Sequence, residues 1–217
     1  MRSESPARVI AVAAFEPELA AFREALPEVR AVAVGIGMVD AALGTSAILA
    51  AAAAAPAALA AIGASAPGRV ELVILLGTCG VFRASDLGGI IVGSGALLAD
   101  PAAPLGHAAL PEPLLARLRI AETFGVTAEL GEIATTLGVT TSDEAARALA
   151  LSTQARAEHM ETYAVVKACM MHGVRCAVIL GAANVVGAQG RAQWLANHVA
   201  ASARAAQLAA KLVRPWL

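Results

Sequence analysis

Glu161 and Asn184 are the residues of this chain whose types and surroundings point most directly to chemistry. Glu161 lies between Met160 and Thr162, just before an apolar helical pattern, and Asn184 follows an apolar strand-like run. A carboxylate in such apolar surroundings needs a partner if it is buried, and an amide group offers two N–H donors and one acceptor. This pair is therefore suited to binding a polar small molecule.

The segment between these two residues predicts how they are positioned. Residues 163–172 have helical spacing with Gly173 as a C-terminal stop, residues 175–180 form a short strand-like run, and Asn184 follows on a predicted loop of small residues. A helix followed by a strand is half of a βαβ unit, and ligands of open α/β sheets bind beyond the carboxyl ends of the strands. We therefore expect Glu161 and Asn184 to face one crevice.

Small polar residues also follow the clearest buried strand, residues 70–76. The sequence Gly77-Thr78-Cys79-Gly80 would allow backbone N–H groups and the Thr78 hydroxyl to point at a ligand, and a plain turn is the alternative. No histidine is placed in sequence to activate Cys79, and small buried cysteines are usually inert. Cys79 is therefore predicted to pack, and not to act as a nucleophile.

Glu18 lies near the other end of the chain, where a first strand at residues 8–14 leads through Pro17 into a helix at 18–25. Proline suits a first helical turn because its missing N–H has no partner there. From residue types alone, an acidic residue at this place is most simply a partner for the helix dipole. A second strand at 29–34 and the turn Gly35-Ile36-Gly37 then lead to a helix from Val39, and this lone GxG is predicted to serve packing.

The rest of the chain continues to alternate between strand and helix patterns. We predict two β-like runs within 87–98, a surface loop or lid at 100–113, an amphipathic helix at 114–124, a broken strand at 128–140, a helix at 144–151 capped by Ser142 or Asp143, and a last helix at 191–212 with Trp194 as a packing anchor. The helices should pack against the faces of a sheet.

Composition excludes several classes of partner. The chain has 217 residues, is 58% hydrophobic and carries a formal net charge of -1, so one substantial core is expected, with residues 1–217 as a single domain and no linker. The absence of long charged runs argues against nucleic acid and anionic membranes and favours a small neutral ligand. Residues 46–66 are nearly all alanine and are interrupted by Pro56, which predicts a close-packed helix or helix pair and not a membrane span. The first apolar run, residues 8–15, is short and ends in acidic residues, which predicts a strand and not a signal peptide.

The cysteines argue against covalent or metal cross-links. Cys79, Cys169 and Cys176 are odd in number and lack the spacing of a disulfide framework or a zinc site. No metal or cofactor is predicted, and a reducing cytoplasm is the expected compartment.

Several segments, taken in order, match the motifs of one enzyme superfamily. AAFEPEL (13–19) is similar to the AMEEEV segment of methylthioadenosine/S-adenosylhomocysteine nucleosidases, and VAVGIGMVDAALGTSAIL (32–49) is similar to TGVGKVNAA. VILLGTCGVFRASDLGGIIVGS (73–94) is similar to TGSAGG…GDVVVS, and HMETYAVVKACMMHGVRCAVI (159–179) to VEMEGAAVA…GVP. Because their order and spacing agree over nearly the whole chain, the chain resembles the purine nucleoside phosphorylase and nucleosidase superfamily.

The segment AANVVGAQGRAQW (182–194) narrows the resemblance. It is similar to the SNxVG…R…W pattern of futalosine hydrolases, which release hypoxanthine from futalosine in menaquinone biosynthesis, whereas the adenine nucleosidases have an aspartate here. The N7 and O6 atoms of a 6-oxopurine are both acceptors and match the two N–H donors of an amide, while a protonated aspartate matches the acceptor N7 and the donor N6 of adenine. Asn184 therefore favours a 6-oxopurine.

The resemblance implies an α/β fold, a three-layer αβα sandwich with a mixed central sheet, and it implies roles for individual residues. Glu18 would be the general base that activates water, Glu161 would bind the ribose hydroxyls, and Asn184 would bind N7 or O6 of the leaving purine. Thr78, with Gly77 and the backbone of Cys79, would line the sugar or water pocket. Met160 would pack against the ribose, with ordinary core packing as the alternative. A homodimer or higher assembly is also implied, and the apolar excess makes a buried subunit interface plausible.

Departures from the family patterns keep other functions open. A phosphorylase is disfavoured because residues 13–16 lack the arginine and glycine that bring phosphate to the site. A methylthioadenosine-type nucleosidase is the second enzyme hypothesis. A nucleoside-binding relative without catalysis is the third, because Thr162-Tyr163 replaces the small pair of the MEGAA motif. Gly88-Gly89 in place of GD, together with a short 100–113 region, leaves the 5′ substituent of the substrate open.

Overall fold

The structure is a computed structural model, and it describes residues 8–61 and 69–217. Within these ranges the strands are β1 (Arg8–Ala13), β2 (Arg30–Ala33), β3 (Val70–Val81), β4 (Ile90–Leu98), β5 (Leu118–Arg119), β6 (Leu130–Thr135), β7 (Ala157–His159) and β8 (Arg175–Val185). The α-helices are α1 (Ala20–Ala25), α2 (Met38–Ala61), α3 (Asp143–Thr153), α4 (Thr162–Met171) and α5 (Gly190–Val213).

The strands form one mixed sheet, which confirms that part of the predicted α/β fold. Their order is β2-β1-β3-β7-β6-β4-β5, and β8 pairs with both β3 and β4. The pairs β1–β2, β1–β3, β3–β8, β4–β6 and β6–β7 are parallel, whereas β3–β7, β4–β5 and β4–β8 are antiparallel. Because β8 joins β3 to β4, the strands β3, β8, β4, β6 and β7 close into a ring. Because β3 and β8 pair in parallel, their carboxyl ends lie next to each other.

Helices cover both faces of the sheet, as the three-layer prediction requires. One apolar cluster joins the sheet to α2 and α4, a second joins it to the segment of α1 and to α5, and a smaller third joins β4 and β6 to α3. The α5 side of the second cluster consists mainly of alanine, which allows a close approach. A Cβ atom on Gly181 of β8 would lie 2.1 Å from the Ala201 carbonyl oxygen of α5, so glycine is needed at that crossing.

Most of the predicted elements are confirmed. The Ser142 hydroxyl caps α3 by accepting from Ala145 N at 3.3 Å, and Gly173 ends α4 with a φ of 64°. The predicted alanine-rich helix is α2 as far as Ala61, and residues 62–66 of that prediction lie outside the described ranges. In the part of the chain that the structure describes, no helix combines the length and apolarity needed to cross a bilayer.

The amphipathic helix predicted for residues 114–124 is wrong. This segment contains the end of a 3-10 turn (Glu112–Leu114) and the short strand β5, which pairs with β4. Leu118 and Ile120 are buried while Arg119 between them is exposed, and this alternation is the period of a strand. Tertiary pairing with β4 therefore decides the conformation, whatever the local helical spacing.

Two strands extend further than predicted, and both extensions concern candidate site residues. The Gly77-Thr78-Cys79-Gly80 segment was expected to follow β3, either facing a ligand or as a plain turn, but it belongs to β3 and pairs with β8. Asn184 was expected on a loop, but it belongs to β8 and lies opposite Gly80. Pairing between the two strands continues to Val81 and Val185, which satisfies backbone groups that a turn would leave unpaired.

Candidate functional site

Glu18 reaches across the sheet from the start of the chain to the carboxyl end of β3. It lies in a 3-10 turn (Glu16–Leu19) that follows β1, and its side chain is buried, with 5% of the residue exposed. The backbone N–H and the hydroxyl of Thr78 both donate to Glu18 Oε1, each at 2.9 Å. The sequence alone could not distinguish a catalytic acid from a helix-dipole partner here, and burial with two specific donors is not what a dipole partner requires.

The second carboxylate oxygen of Glu18, Oε2, accepts no hydrogen bond from the described residues. It lies over Gly77, where an added Cβ atom would be only 2.9 Å away. Gly77 also has a φ of 152°, a conformation that side chains disfavour. Gly77 thus allows the carboxylate to rest directly on the backbone of β3, with one oxygen fixed by Thr78 and the other able to take a proton.

Burial raises the pKa of Glu18 from 4.5 to about 7, and the nearby negative charge of Glu161 adds to this rise. The hydrogen bonds from Thr78 oppose it by stabilising the ionised form. A general base is most effective when its pKa is close to the working pH. Glu18 therefore has the burial, orientation and pKa of an acid–base group.

Trp194 fixes the direction of the Thr78 hydroxyl. Its indole Nε1 donates to Thr78 Oγ1 at 3.1 Å, and its ring stacks on His198 with the centroids 4.2 Å apart. An indole N–H can only donate, so the Thr78 hydroxyl accepts from Trp194 and gives its own proton to Glu18. The predicted anchor role of Trp194 thus applies directly at the candidate site.

Glu161 is the N-cap residue of α4, and it is also buried, with 4% exposed. Its Oε1 accepts from the backbone N–H of Gly37 at 2.7 Å, and its Oε2 lies 3.2 Å from His159 Nε2. The turn Gly35-Ile36-Gly37 was expected to serve packing alone, but Gly37 supplies a backbone donor to the site. Each carboxylate oxygen keeps a further lone pair with which to accept from a ligand.

His159 is a residue of the candidate site that the sequence did not single out. It is buried, and besides contacting Glu161 Oε2 its Nδ1 lies 2.9 Å from Thr162 Oγ1 and 3.4 Å from the backbone N of Glu161. Burial lowers the pKa of His159, while the charge of Glu161 acts in the opposite direction. The only signal in the sequence was a histidine two residues before a candidate acid, at the end of a predicted strand.

Asn184 lies beside the same strand end but uses part of its hydrogen-bonding capacity internally. Its Nδ2 donates to the Val185 carbonyl oxygen at 3.1 Å, and a Cβ atom on Gly80 would lie 2.9 Å from Nδ2. Whereas the sequence-based prediction for a 6-oxopurine uses both N–H groups, in this conformation one N–H and the amide oxygen remain available for a ligand. This pair still matches N7 of a 6-oxopurine, and it also matches the N7 and N6 atoms of adenine.

The other predicted residues divide between the site and the core. Cys79 is buried and packs in the apolar cluster under α2 and α4, and burial raises the pKa of its thiol far above the ordinary value, which agrees with an inert cysteine. Met160 is partly exposed directly before Glu161. Tyr163 is partly buried against the core, and its backbone N donates to Thr135 Oγ1 at 2.9 Å.

These residues form a polar site with two acids of different character. Glu18 and Glu161 are close enough for the charge of one to raise the pKa of the other. In the described ranges no three His, Cys, Asp or Glu side chains converge in the way that a metal site would require. The arrangement can provide an acid–base carboxylate and a second fixed carboxylate, and the Asn184 amide lies further along the paired strands β3 and β8, opposite Gly80.

Comparison with known proteins agrees with this architecture. A family model described as the phosphorylase superfamily matches residues 8–217. The native futalosine hydrolase of Helicobacter pylori strain 26695 has a TM-score of 0.75 at 18% identity, with 96% of this chain and 98% of that chain covered. The methylthioadenosine/S-adenosylhomocysteine nucleosidase of Colwellia psychrerythraea 34H, solved in complex with adenine, has a TM-score of 0.77 at 20% identity, covering 96% and 95%. No curated protein sequence matches the chain.

Proposed function

The chain belongs to the phosphorylase superfamily, and we propose that it is a nucleosidase that hydrolyses the N-glycosidic bond of a purine nucleoside. The observation that carries this proposal is the contact between Glu18 and Thr78. A buried carboxylate with a pKa of about 7 is held by two donors at the end of β3, where it can accept a proton from water at neutral pH.

In this mechanism the reacting sugar becomes similar to an oxocarbenium ion as the bond to the purine breaks. Glu18 orients a water molecule and removes its proton as the water attacks C1′. Glu161 binds the ribose hydroxyls through the lone pairs that Gly37 and His159 leave available. Asn184 donates a hydrogen bond from its remaining amide N–H to the departing purine, which takes the electrons of the broken bond and receives its proton from solvent. Met160, next to Glu161, packs against the ribose.

Hydrolysis is favoured over phosphorolysis because the Thr78 donors are already engaged. A phosphate at this strand end would need the Thr78 N–H and hydroxyl, but both bind the Glu18 carboxylate, which would also repel an anion. Among the described residues, no arginine or lysine is hydrogen-bonded to or ion-paired with Glu18, Thr78 or Glu161. Arg83, the cation nearest to Thr78 in sequence, is exposed.

For the substrate, we propose a 6-oxopurine nucleoside of the futalosine type, with hypoxanthine as the released base and a role in menaquinone biosynthesis. The support is an amide at position 184 within AANVVGAQGRAQW, which is similar to the futalosine hydrolase pattern. An adenine nucleoside of the methylthioadenosine type is the second candidate. It is favoured by the contact of Asn184 with Val185, which leaves one donor and one acceptor, the pattern of the adenine edge.

A substrate panel tests both levels of the proposal. Purified protein is incubated with futalosine, inosine, methylthioadenosine and adenosine, with and without phosphate, and the released base is identified by chromatography. Hypoxanthine release without phosphate supports the futalosine-type assignment, whereas release of adenine alone selects the second candidate. A requirement for phosphate would overturn hydrolysis. Tight nucleoside binding without any turnover would identify a binding protein that lacks catalysis.

We further propose that the protein acts as a homo-oligomer in a reducing cytoplasm. Ile36, Val39 and Leu43 are each more than 60% exposed at and before the start of α2, and a second copy could bury this apolar surface. All three cysteines are buried free thiols, as expected where disulfides do not form. Light scattering with a Val39→Glu variant tests the assembly. A mass of one chain for the unaltered protein would contradict it.

A further inference from the structure

Glu161 is held by a short relay of hydrogen bonds that begins inside its own helix. Thr162, the first residue of α4, is fully buried, and its hydroxyl lies 2.9 Å from Nδ1 of His159. The opposite nitrogen of that imidazole, Nε2, lies 3.2 Å from Glu161 Oε2. The relay therefore runs from Thr162 through His159 to the carboxylate that faces the ribose in the proposed mechanism.

The contacts determine which nitrogen of His159 carries the proton. The backbone N–H of Glu161 points at Nδ1 at 3.4 Å, and a backbone N–H can only donate. Nδ1 is therefore an acceptor, and the Thr162 hydroxyl can donate to it as well. The proton of the neutral ring then lies on Nε2, where it is donated to Glu161. The other tautomer would set the lone pair of Nε2 against a carboxylate oxygen.

We propose that His159 and Thr162 are a positioning pair that fixes the orientation of Glu161 for binding the ribose hydroxyls. The inference rests on the proposed nucleosidase function and adds two residues to it. Gly37 holds Oε1 at 2.7 Å while His159 holds Oε2, so the plane of the carboxylate is fixed from both sides. Thr162 acts indirectly, because its hydroxyl can donate a second hydrogen bond to Nδ1 and so stabilise the tautomer in which His159 is a donor to Glu161.

This pair also gives a physical reason for the unusual residue at position 162. An alanine or glycine there would leave Nδ1 with only the long contact to the Glu161 backbone N, and the preference for one tautomer would weaken. A threonine hydroxyl supplies the missing donor at a buried position. The departure from a small residue is thus coupled to the presence of His159 and is not a sign of a lost site.

Other titratable groups near His159 do not replace Glu161 as its partner. The carboxylate of Glu158, the preceding residue, is bonded to the backbone N and the hydroxyl of Thr140. Glu18, on the segment after β1, is held by Thr78. The charge that acts on His159 is that of Glu161, and burial keeps the imidazole neutral by lowering its pKa.

Matched variants separate positioning from a general structural role. His159→Gln keeps an N–H donor near the position of Nε2, whereas His159→Leu removes it, and Thr162→Ser keeps the hydroxyl that Thr162→Val removes. Each protein is assayed with a ribonucleoside that the unaltered protein hydrolyses and with its 2′-deoxy analogue. Loss of one hydrogen bond to a charged group should lower kcat/KM for the ribonucleoside about tenfold to a hundredfold in His159→Leu.

The ratio between the two substrates decides the outcome. We expect His159→Leu and Thr162→Val to reduce the preference for the ribonucleoside, and His159→Gln and Thr162→Ser to retain most of it. Equal loss with both substrates in His159→Leu, or no loss with either, would overturn the positioning role. Thermal unfolding identifies any variant that fails to fold. If His159→Leu or Thr162→Val does not fold, the test rests on His159→Gln and Thr162→Ser, which must still retain the preference for the ribonucleoside.

A measurement that needs no turnover tests the same pair. ¹⁵N-detected histidine NMR of the unaltered protein should show His159 protonated at Nε2, and Thr162→Val should weaken that preference. Protonation at Nδ1 in the unaltered protein would contradict the relay. If the protein hydrolyses no nucleoside at all, the proposed function fails, and this spectrum still decides whether His159 donates to Glu161.

Discussion

Thr78 donates its backbone N–H and its hydroxyl to the same oxygen of Glu18, Oε1, at 2.9 Å each. The two residues are sixty positions apart in the chain, and pairing of β1 with β3 brings them together. The indole N–H of Trp194 donates to the Thr78 hydroxyl oxygen, so that hydroxyl must give its own proton to Glu18. Both Thr78 groups are therefore donors to Glu18. An acid held in this way is oriented before substrate binds, which is what general-base catalysis requires.

Activity should rise with pH through neutrality. Burial, assisted by the charge of Glu161, raises the pKa of Glu18 to about 7, and only the ionised form can take a proton from water. We therefore expect kcat/KM to increase about tenfold per pH unit well below pH 7 and to level off above it. The measurement is a pH–rate profile with the best substrate of the panel. A flat profile between pH 5 and 8 would exclude Glu18 as the base.

Glu18→Gln should lower kcat by about 10²–10⁴-fold, because the amide keeps the acceptor for Thr78 but cannot accept a proton. Substrate binding, measured by calorimetry, should change little. The matched control is Glu16→Gln, which alters a nearby exposed acid in the same 3-10 turn. Near-normal turnover in Glu18→Gln would remove this residue from the mechanism.

The same buried acid predicts how stability depends on pH. A carboxyl with a pKa raised from 4.5 to about 7 keeps its proton in the folded protein at pH values where the unfolded chain has lost it. The free energy of unfolding should therefore fall as pH rises from 4.5 to 7, by about 3 kcal/mol from this group. Glu18→Gln lacks that titration and should be the more stable protein at pH 8.

Urea denaturation at pH 5, 6, 7 and 8 measures this effect. The difference between the two proteins isolates Glu18, because other titrating groups such as Glu158 and His159 are present in both. A constant difference across this range would show that folding does not perturb the Glu18 carboxyl.

Removing the Thr78 hydroxyl should move the pH profile in a defined direction. The hydrogen bond from Thr78 lowers the pKa of Glu18, so Thr78→Val should raise that pKa and shift the rising limb of the profile to higher pH. Activity at pH 7 should fall about tenfold. Thr78→Ser keeps the hydroxyl and should retain the original profile. An unshifted profile in Thr78→Val, with Trp194 still packed by fluorescence, would show that the hydroxyl does not act on Glu18.

Asn184→Asp should change which purine is released. A protonated aspartic acid can donate to N7 and accept from N6 of adenine, whereas an ionised one repels O6 and N7 of a 6-oxopurine. We expect the ratio of adenine to hypoxanthine release to rise about tenfold or more in competition assays, since one discriminating contact contributes about 1–3 kcal/mol. Asn197→Asp alters a neighbouring amide on α5 that contacts the Ala183 carbonyl oxygen, and it serves as the control. An unchanged ratio would remove residue 184 from base recognition.

The sequence predicted most elements because, along much of the chain, the apolar periodicity and the helix and strand end signals agree with the burial seen in the structure. β1, α4 and α5 have clear periodicity and stop signals, and they were placed within one or two residues. The segment at 114–124 failed because pairing with β4 overrides its helical spacing. The strand ends at Thr78 and Asn184 were placed too early because glycine and polar residues there resemble turn residues.

The candidate site was only partly predictable for a similar reason. Glu161 and Asn184 stood out as polar residues in apolar segments, and Thr78 as a hydroxyl after a buried strand. The contact of the Gly37 backbone with Glu161 depends on tertiary packing of α2 against α4, over a separation of more than 100 residues. Local sequence carries no record of such a contact, so Gly37 could not be assigned a role in advance. The partners of His159 are only two and three residues away, but its burial depends on the whole fold and could not be predicted from them.

The central claim, that Glu18 delivers water to a purine nucleoside, is tested most directly by identifying the sugar product in phosphate buffer. The substrate is the best nucleoside of the panel, and ³¹P NMR follows the phosphate while chromatography follows the base. We predict one free sugar for each base released and no new phosphorus signal, with both products lost in Glu18→Gln. A sugar 1-phosphate signal, or no base released from any nucleoside, would contradict the account.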